Sequence, residues 1–301
     1  MTALCAGRVV IVTGAGRGLG RAHALGFAAA GARVVVNDLG ARLDGSGASG
    51  GPAHDVVAEI RAAGGEAVAD TEDVADWAGA DRLVRRALAE YGRLDVLVNN
   101  AGILRDRMLV SLDEAEWDAV LRVHLRGHAA TLRHAAAYWR AEDKAGRRPS
   151  GRVINTSSGA GLLGSVGQAG YATAKAGILG LTLVAAAELG RYGVTVNAIA
   201  PAARTRMTER VFAAAMAAPA SGFDAMAPEN VAPLVVWLGS AESAAVTGRV
   251  FEVEGGRIGV AEGWRHGPSA ERDGRWRPGE LGAVVAELLA KAADPEPAYG
   301  S

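Results

Sequence analysis

From its first residues the chain alternates short β-branched runs with longer stretches of helical periodicity. Arg8–Thr13, Arg33–Asp38, Glu66–Asp70 and Leu94–Asn99 read as strands, and Arg152–Thr156, Val194–Ile199 and Arg249–Val253 continue the series. Strand and helix patterns in strict alternation are the signature of a parallel sheet built from βαβ units. Right-handed crossovers would place helices on both faces, so an α/β, Rossmann-type, doubly wound sheet of about seven parallel strands is expected. The strands are spread along the whole chain, which makes one sheet simpler than two. Residues 1–258 are therefore expected as one domain, with 259–301 as a C-terminal extension packing on the same or a neighbouring subunit.

Three segments break the alternation: Gly40–Pro52, Arg140–Gly151 and Pro201–Pro228. Long irregular segments inside a compact domain are either plain loops or functional ones. The first is rich in Gly and Ser. The last sets Thr205, Met207 and Thr208 before an Ala- and Met-rich stretch, which suits a flap over an apolar substrate and equally an ordinary surface helix. Beyond Gly256 come Trp264, Arg265, Trp276 and Arg277, then an amphipathic pattern over Gly279–Lys291 that suits subunit packing better than chemistry.

Composition narrows the class of function. Half the residues are hydrophobic, Gly numbers 41 and charged residues make up 22%, which suits a large core with many tight turns. The net charge of -1 is spread evenly, so no nucleic-acid footprint or polybasic membrane patch is expected. Cys5 is the single cysteine, which excludes an intrachain disulfide and a cysteine-rich metal site; a reducing cytoplasm is the default location, and no metal is expected. The run Val9–Val12 is too short for a signal peptide's apolar core, and Ala176–Ala187 falls short of the roughly 20 residues that span a bilayer. These features point to a small-molecule substrate.

The first predicted strand runs into Thr13-Gly14-Ala15-Gly16-Arg17-Gly18-Leu19-Gly20 and then an Ala-rich helical pattern. Glycines between strand and helix let the backbone turn sharply and approach a pyrophosphate, which the free N–H groups of the helix start stabilise. A glycine triplet alone also occurs in structural turns, and its placement is what gives it weight. About 20 residues on, Asn37-Asp38 closes the second strand, where an acidic side chain accepts bonds from the adenosine ribose hydroxyls and repels a 2′-phosphate. That favours NAD, with NADP less favoured, although Arg17 and Arg42 lie nearby in sequence and Asp38 also suits a plain turn. Asp73-Val74, after the third strand, is a candidate to flank the adenine.

Tyr171-Ala172-Thr173-Ala174-Lys175 opens a long helical pattern, and residues four apart share one helix face. A phenol titrates near ~10 and is a poor base at neutral pH, but an adjacent ammonium depresses that value. The lysine can also hold the nicotinamide ribose. Only three of the 32 basic residues are lysines, so a lysine here is unlike the chain's ordinary surface cation, which is arginine. Ser158 follows the fifth strand in Asn155-Thr156-Ser157-Ser158-Gly159, at the kind of strand end where open sheets bind ligands. Its hydroxyl could hold a substrate oxygen within reach of the phenol, although a Ser-rich strand end alone is more often a turn.

Thr13–Gly20, Asn99-Asn100-Ala101-Gly102, Ser158, and Tyr171 with Lys175 together resemble the ordered motifs of the classical short-chain dehydrogenases/reductases, over roughly Gly7–Gly256. The resemblance implies that Asn99–Gly102 forms a turn beside the cofactor, with Asn100, Ala101 and Gly102 touching it. It further implies Ser158 orienting the substrate oxygen, Tyr171 as acid/base and Lys175 as its partner. A homodimer or homotetramer, with helices such as Ala176–Leu189 at an interface, is implied as well.

Two departures stand out. Seven residues after Trp117, where the family has an active-site Asn that shapes a helix kink, this chain has His124 in Arg122-Val123-His124-Leu125-Arg126-Gly127. His124 is expected either to add a group titrating near neutral pH to the proton path or to be a packed histidine. The family's Pro-Gly after the sixth strand is Pro201-Ala202, which leaves Thr205 as the candidate carboxamide contact. These segments, with Val36–Gly40, Ala101–Arg107, Arg206–Thr208 and Val231–Val235, resemble the (3R)-hydroxyacyl-CoA dehydrogenase module of peroxisomal multifunctional β-oxidation enzymes, also known as a 17β-hydroxysteroid dehydrogenase. The 301 residues leave no room for hydratase or sterol-carrier modules, so a stand-alone relative is expected.

The expected activity is NAD-dependent hydride transfer from a secondary alcohol of a bulky apolar substrate, a 3-hydroxyacyl-CoA or a hydroxysteroid. The alternatives are an NADPH-dependent 3-oxoacyl thioester reductase and a non-catalytic dinucleotide-binding subunit.

Overall fold

The computed structural model describes residues 3–208 and 216–299. Eight strands form one sheet in the order β3-β2-β1-β4-β5-β6-β7-β8. They are β1 Val9–Thr13, β2 Arg33–Asn37, β3 Glu66–Asp70, β4 Val96–Asn99, β5 Arg152–Thr156, β6 Thr195–Ala202, β7 Val250–Glu254 and β8 Arg257–Ala261. The helices are α1 Gly18–Ala29, α2 Gly51–Ala62, α3 Trp77–Tyr91, α4 Glu114–Leu121, α5 Gly127–Lys144, α6 Gly159–Leu163, α7 Ala169–Leu189, α8 Ala232–Leu238 and α9 Leu281–Leu289.

The sheet is buried on both faces because its central strands carry apolar side chains at consecutive positions, Val9–Val12 in β1, Val34–Val36 in β2 and Val96–Val98 in β4. Val10, Val12, Val34 and Val36 pack against Phe27 of α1, Ile60 of α2 and Leu238 of α8 on one face. Their strand neighbours Val9, Ile11 and Val35 point the other way, to Leu83 of α3, Trp139 of α5 and Leu189 of α7. Each such side chain contributes about 1.5–3 kcal/mol of burial, so β1 alone anchors both layers. The Trp139 indole donates to the Leu94 carbonyl at 2.8 Å, which allows a large ring with a polar edge to be fully enclosed.

Strands β1 to β7 are parallel, and β8 is antiparallel to β7. The expected seven-stranded parallel sheet thus gains an eighth, antiparallel edge. Gly255-Gly256 makes the two-residue hairpin, with Gly255 at φ 52°, and this is a strong hairpin signal when read together with Arg257–Ala261. The strand crosses the expected boundary at residue 258. β6 also extends past the expected Ile199, pairing Pro201 with Val253. Of the expected Arg140–Gly151 break, Arg140–Lys144 is the last part of α5. α7 is 21 residues long and apolar enough to cross a membrane by length and composition, which corrects the shorter apolar run read from sequence. Ala185, Ala186 and Leu189 of it pack into the sheet's core. The 209–215 part of the expected flap lies outside the described residues.

Between α4 and α5 the backbone makes a π turn over Arg122–Arg126, so the two helices are one rod with a bulge at His124. Such bulges are frequent at functional sites. Strand order reverses between β1 and β4, and the crevice beyond the strands' carboxyl ends at that point is where a ligand fits an open α/β sheet.

Candidate active site

Glycine loop and ribose side. The turn from β1 to α1 is built by atoms that leave no room for side chains. Gly14 and Gly18 have φ of 61° and 52°, and a Cβ on Gly20 would sit 2.1 Å from the Gly14 carbonyl oxygen. Thr13 Oγ1 accepts from the Asn100 and Ala101 N–H groups at 2.9 and 3.1 Å, while Asn100 Nδ2 donates to the Thr13 and Gly14 carbonyls at 3.0 and 3.2 Å. The loops after β1 and β4 are therefore fixed to each other. Arg17, the residue preceding α1, makes no side-chain cap, which leaves the helix's first-turn N–H groups for a ligand anion. Asp38 follows β2; its Oδ2 accepts from Gly16 N and its Oδ1 from Gly40 N, each at 2.7 Å. These bonds hold the carboxylate beside the glycine loop. Asp73 accepts from Ala75 N at 2.9 Å and pairs with Arg122 at 2.5 Å, and Val74 is buried beside it.

Catalytic side. Tyr171 and Lys175 lie one turn apart on α7, as their spacing predicts. Ser158 caps α6, accepts from Ala160 N at 3.2 Å, and lies close enough to the Tyr171 phenol to lower its pKa. Lys175 is 3% exposed, and its Nζ donates to the Thr156 carbonyl at 2.7 Å and lies 5.5 Å from the Tyr171 ring centroid. Burial pushes its pKa down to about 7. The expectation that the lysine depresses the phenol's pKa is corrected here. Burial pushes Tyr171 up, the Ser158 hydroxyl pulls it down, and the Asp106 carboxylate raises it further. Helix spacing predicts proximity, but it says nothing of how much water the enclosing elements remove.

His124 is fully enclosed, with Nε2 2.7 Å from the Ile103 carbonyl oxygen and 3.1 Å from the Ile103 N–H, and its ring stands edge-on to Tyr171 with centroids 5.3 Å apart. Burial first, and Lys175 second, hold its pKa well below the usual imidazole value. Of the two readings of this residue, the packed, neutral histidine is the one the structure has; the group titrating near neutrality is not. A Cβ on Gly102 would lie 2.4 Å from His124 Cε1, so glycine is what lets the imidazole lie against the Ala101–Ile103 turn.

Gly14, Arg17, Gly18, Leu19, Asp38, Asp73, Val74, Asn100, Ala101, Gly102, His124, Tyr171, Lys175, Pro201 and Thr205 line one cleft. Gly16 and Gly20 stand behind its wall, and Ser158 reaches it through Tyr171. Thr205 Oγ1 accepts from Met207 N at 3.2 Å, and its methyl faces Gly18.

Sequence reading missed three features. A buried ladder runs under the site: Thr131 Oγ1 donates to Asn99 Oδ1 at 2.7 Å, Asn99 Nδ2 to Asn155 Oδ1 at 3.0 Å, and Asn155 Nδ2 to Thr182 Oγ1 at 2.9 Å. Threonines inside otherwise apolar helical faces were its available signal. Gln168, just before α7, donates to both Asp106 carboxylate oxygens at 3.1 Å, which clamps the post-β4 segment to the start of the Tyr171 helix. His128, fully enclosed one turn past His124, accepts from Thr156 N at 3.4 Å, and burial pushes it down to about 3.

A glycine cradle, an uncapped helix start and a Ser-Tyr-Lys cluster in one cleft define an oxidoreductase that acts on CH–OH groups with a bound nicotinamide dinucleotide. Residues 8–215 match the short chain dehydrogenase family profile, and the chain belongs to that family. It is 48% identical to hydroxyacyl-CoA dehydrogenase ChsB1 of Mycobacterium tuberculosis, covering 98% of this chain and 92% of that protein. It is also 48% identical to peroxisomal multifunctional enzyme type 2 of Mus musculus over 84% of this chain, and spans about a third of that enzyme, 32%. A crystal structure of a short chain dehydrogenase from Mycobacterium avium superposes with a TM-score of 0.90 at 67% identity, covering 99% of this chain and all of that one.

Proposed function

We propose that this enzyme oxidises the 3-hydroxyl of a hydroxyacyl-CoA with NAD. The observation that carries the cofactor choice is Asp38, whose carboxylate is held at the end of β2 by the Gly16 and Gly40 N–H groups. Fixed there, it offers acceptors to a ribose diol and meets a 2′-phosphate with like charge. The glycine cradle and the α1 start would hold the diphosphate, and Lys175 the nicotinamide ribose. The substrate class is supported by the hydroxyacyl-CoA dehydrogenase to which the chain is similar over nearly its whole length.

When bound, the oxidised nicotinamide supplies the hydride acceptor. Ser158 would hold the substrate oxygen, and Tyr171, once its phenol has given up its own proton, would take the hydroxyl proton as the carbinol carbon loses its hydride. Lys175, with its pKa near 7, exchanges protons readily at neutral pH and lies against the phenol's ring. Exposed Leu183 and Val184 on α7 support the homodimer or homotetramer that the family resemblance implies, which light scattering would measure.

The test is a screen of purified enzyme with NAD and NADP across 3-hydroxyacyl-CoAs and hydroxysteroids. Turnover of a hydroxyacyl-CoA with NAD is expected, and a preference for steroid alcohols alone, or for NADPH-driven reduction, would overturn the assignment. Asp38→Ser should narrow the NAD-over-NADP preference by about one to two orders of magnitude, the scale of removing one charged contact.

A further inference from the structure

The connection from β2 to α2 occupies residues 38–50, thirteen residues where a βα loop commonly has two to six. It is also an ordered excursion with a closed neck. Ser49 N donates to the Leu39 carbonyl at 2.9 Å, and a Cβ on Gly40 would lie 1.7 Å from the Ser49 carbonyl oxygen, so the two strands of the neck touch. The tip is self-braced: Arg42 N donates to the Ser46 carbonyl at 2.8 Å, and the Asp44 carboxylate accepts from Ser46 N and Oγ at 2.9 and 2.7 Å.

This excursion does not stay beside β2. It reaches the segment after β4, although β1 lies between those strands in the sheet. Leu104 N donates to the Leu43 carbonyl at 3.3 Å, and Arg105 Nε and Nη2 donate together to the Asp44 carbonyl at 3.0 and 2.7 Å. Gly45, at φ 86°, lies against Ile103. Because the loop after β1 is the glycine cradle, a chain segment joined to both its neighbours bridges the cradle and forms part of the cleft wall. Leu39, Arg42 and Leu43 line the cleft together with Gly18 and Thr205.

We propose that residues 39–45 are a strap retaining the dinucleotide, with Arg105 as a positioning residue that latches it. The strap's fastenings to the post-β4 segment are a few solvent-exposed bonds, and such contacts open locally at low free-energy cost while the packed core beneath stays closed. Opening at the Arg105 latch then admits and releases the cofactor without disturbing Ser158, Tyr171 or Lys175. The proposal rests on the reading of the cleft as a dinucleotide site.

The experiment is stopped-flow release of NADH from the full-length enzyme, followed by its fluorescence. Arg105→Ala is expected to release NADH about tenfold faster and to raise the KM for NAD by a similar factor, with the hydroxyacyl-CoA KM and the melting temperature unchanged. Arg105→Lys, which keeps the charge but has no planar pair of donors, should recover part of the loss. Asp44→Asn should release NADH at the wild-type rate, because the latch is the backbone carbonyl. Hydrogen exchange of the wild type should show residues 39–49 and 103–105 protected on NADH binding. An Arg105→Ala release rate within twofold of wild type, or no protection of these segments, overturns the strap while leaving the dinucleotide reading intact; a wild type that binds neither NADH nor NADPH overturns both.

Discussion

Lys175 is a functional group that the fold carries at a cost. Its pKa is about 7 in the folded protein against 10.5 for the free side chain. Each unit is worth 1.36 kcal/mol, so enclosing the ammonium opposes folding by roughly 4–5 kcal/mol below pH 7. The sign follows from proton counting. Between pH 7 and 10.5 the folded state has lost this proton while the unfolded chain still holds it, so the unfolded state binds more protons and stability rises with pH. Lys175→Met removes the titration but also the donor to the Thr156 carbonyl, a loss of about 1 kcal/mol. The cofactor-free variant should therefore exceed the wild type by about 3 kcal/mol near pH 7. Raising the pH to 8.5 should shrink that gap by about 2 kcal/mol, while Cys5, which burial raises to about 11, is common to both proteins and cancels from the difference. Urea unfolding of both proteins at the two pH values measures the gap. A difference that stays constant with pH, or a variant less stable than wild type at pH 7, would refute the assignment of a strained buried ammonium.

Three further outcomes are expected. Tyr171→Phe should lower kcat by about two to four orders of magnitude with NADH affinity kept, since the phenol's role is proton transfer; single-turnover kinetics and fluorescence titration separate the two. His124 should stay a neutral imidazole at neutral pH, because burial first and Lys175 second hold its pKa well below the usual imidazole value; ring 15N shifts characteristic of a protonated imidazolium at pH 7 would refute this. Thr131→Val should destabilise the fold by about 1–3 kcal/mol by leaving Asn99 Oδ1 short of a buried donor, measured by the urea midpoint.

Features set by local spacing were legible in the sequence. Gly14, Gly18 and Gly20 can be read as a cradle because backbone conformation and close approach depend on the residues themselves, and Tyr171 and Lys175 share a helix face through a fixed period. Strand β8 was hidden because three of its five residues are exposed and none is buried at the sheet edge, so it lacks the continuous apolar run that marks β1.

What the tertiary structure decided is the chemistry of those same groups. The sequence put a lysine near a tyrosine, and only the packing of α5, β5 and α7 around them showed a lysine near 7 and a phenol pushed upward. His124 turned from a titrating candidate into a neutral clamp on Ile103, and residues 39–45 from a Gly-rich loop into a wall of the cleft. The reason is that desolvation and long-range hydrogen bonds depend on which distant segments meet, and residue spacing along one chain does not contain that information.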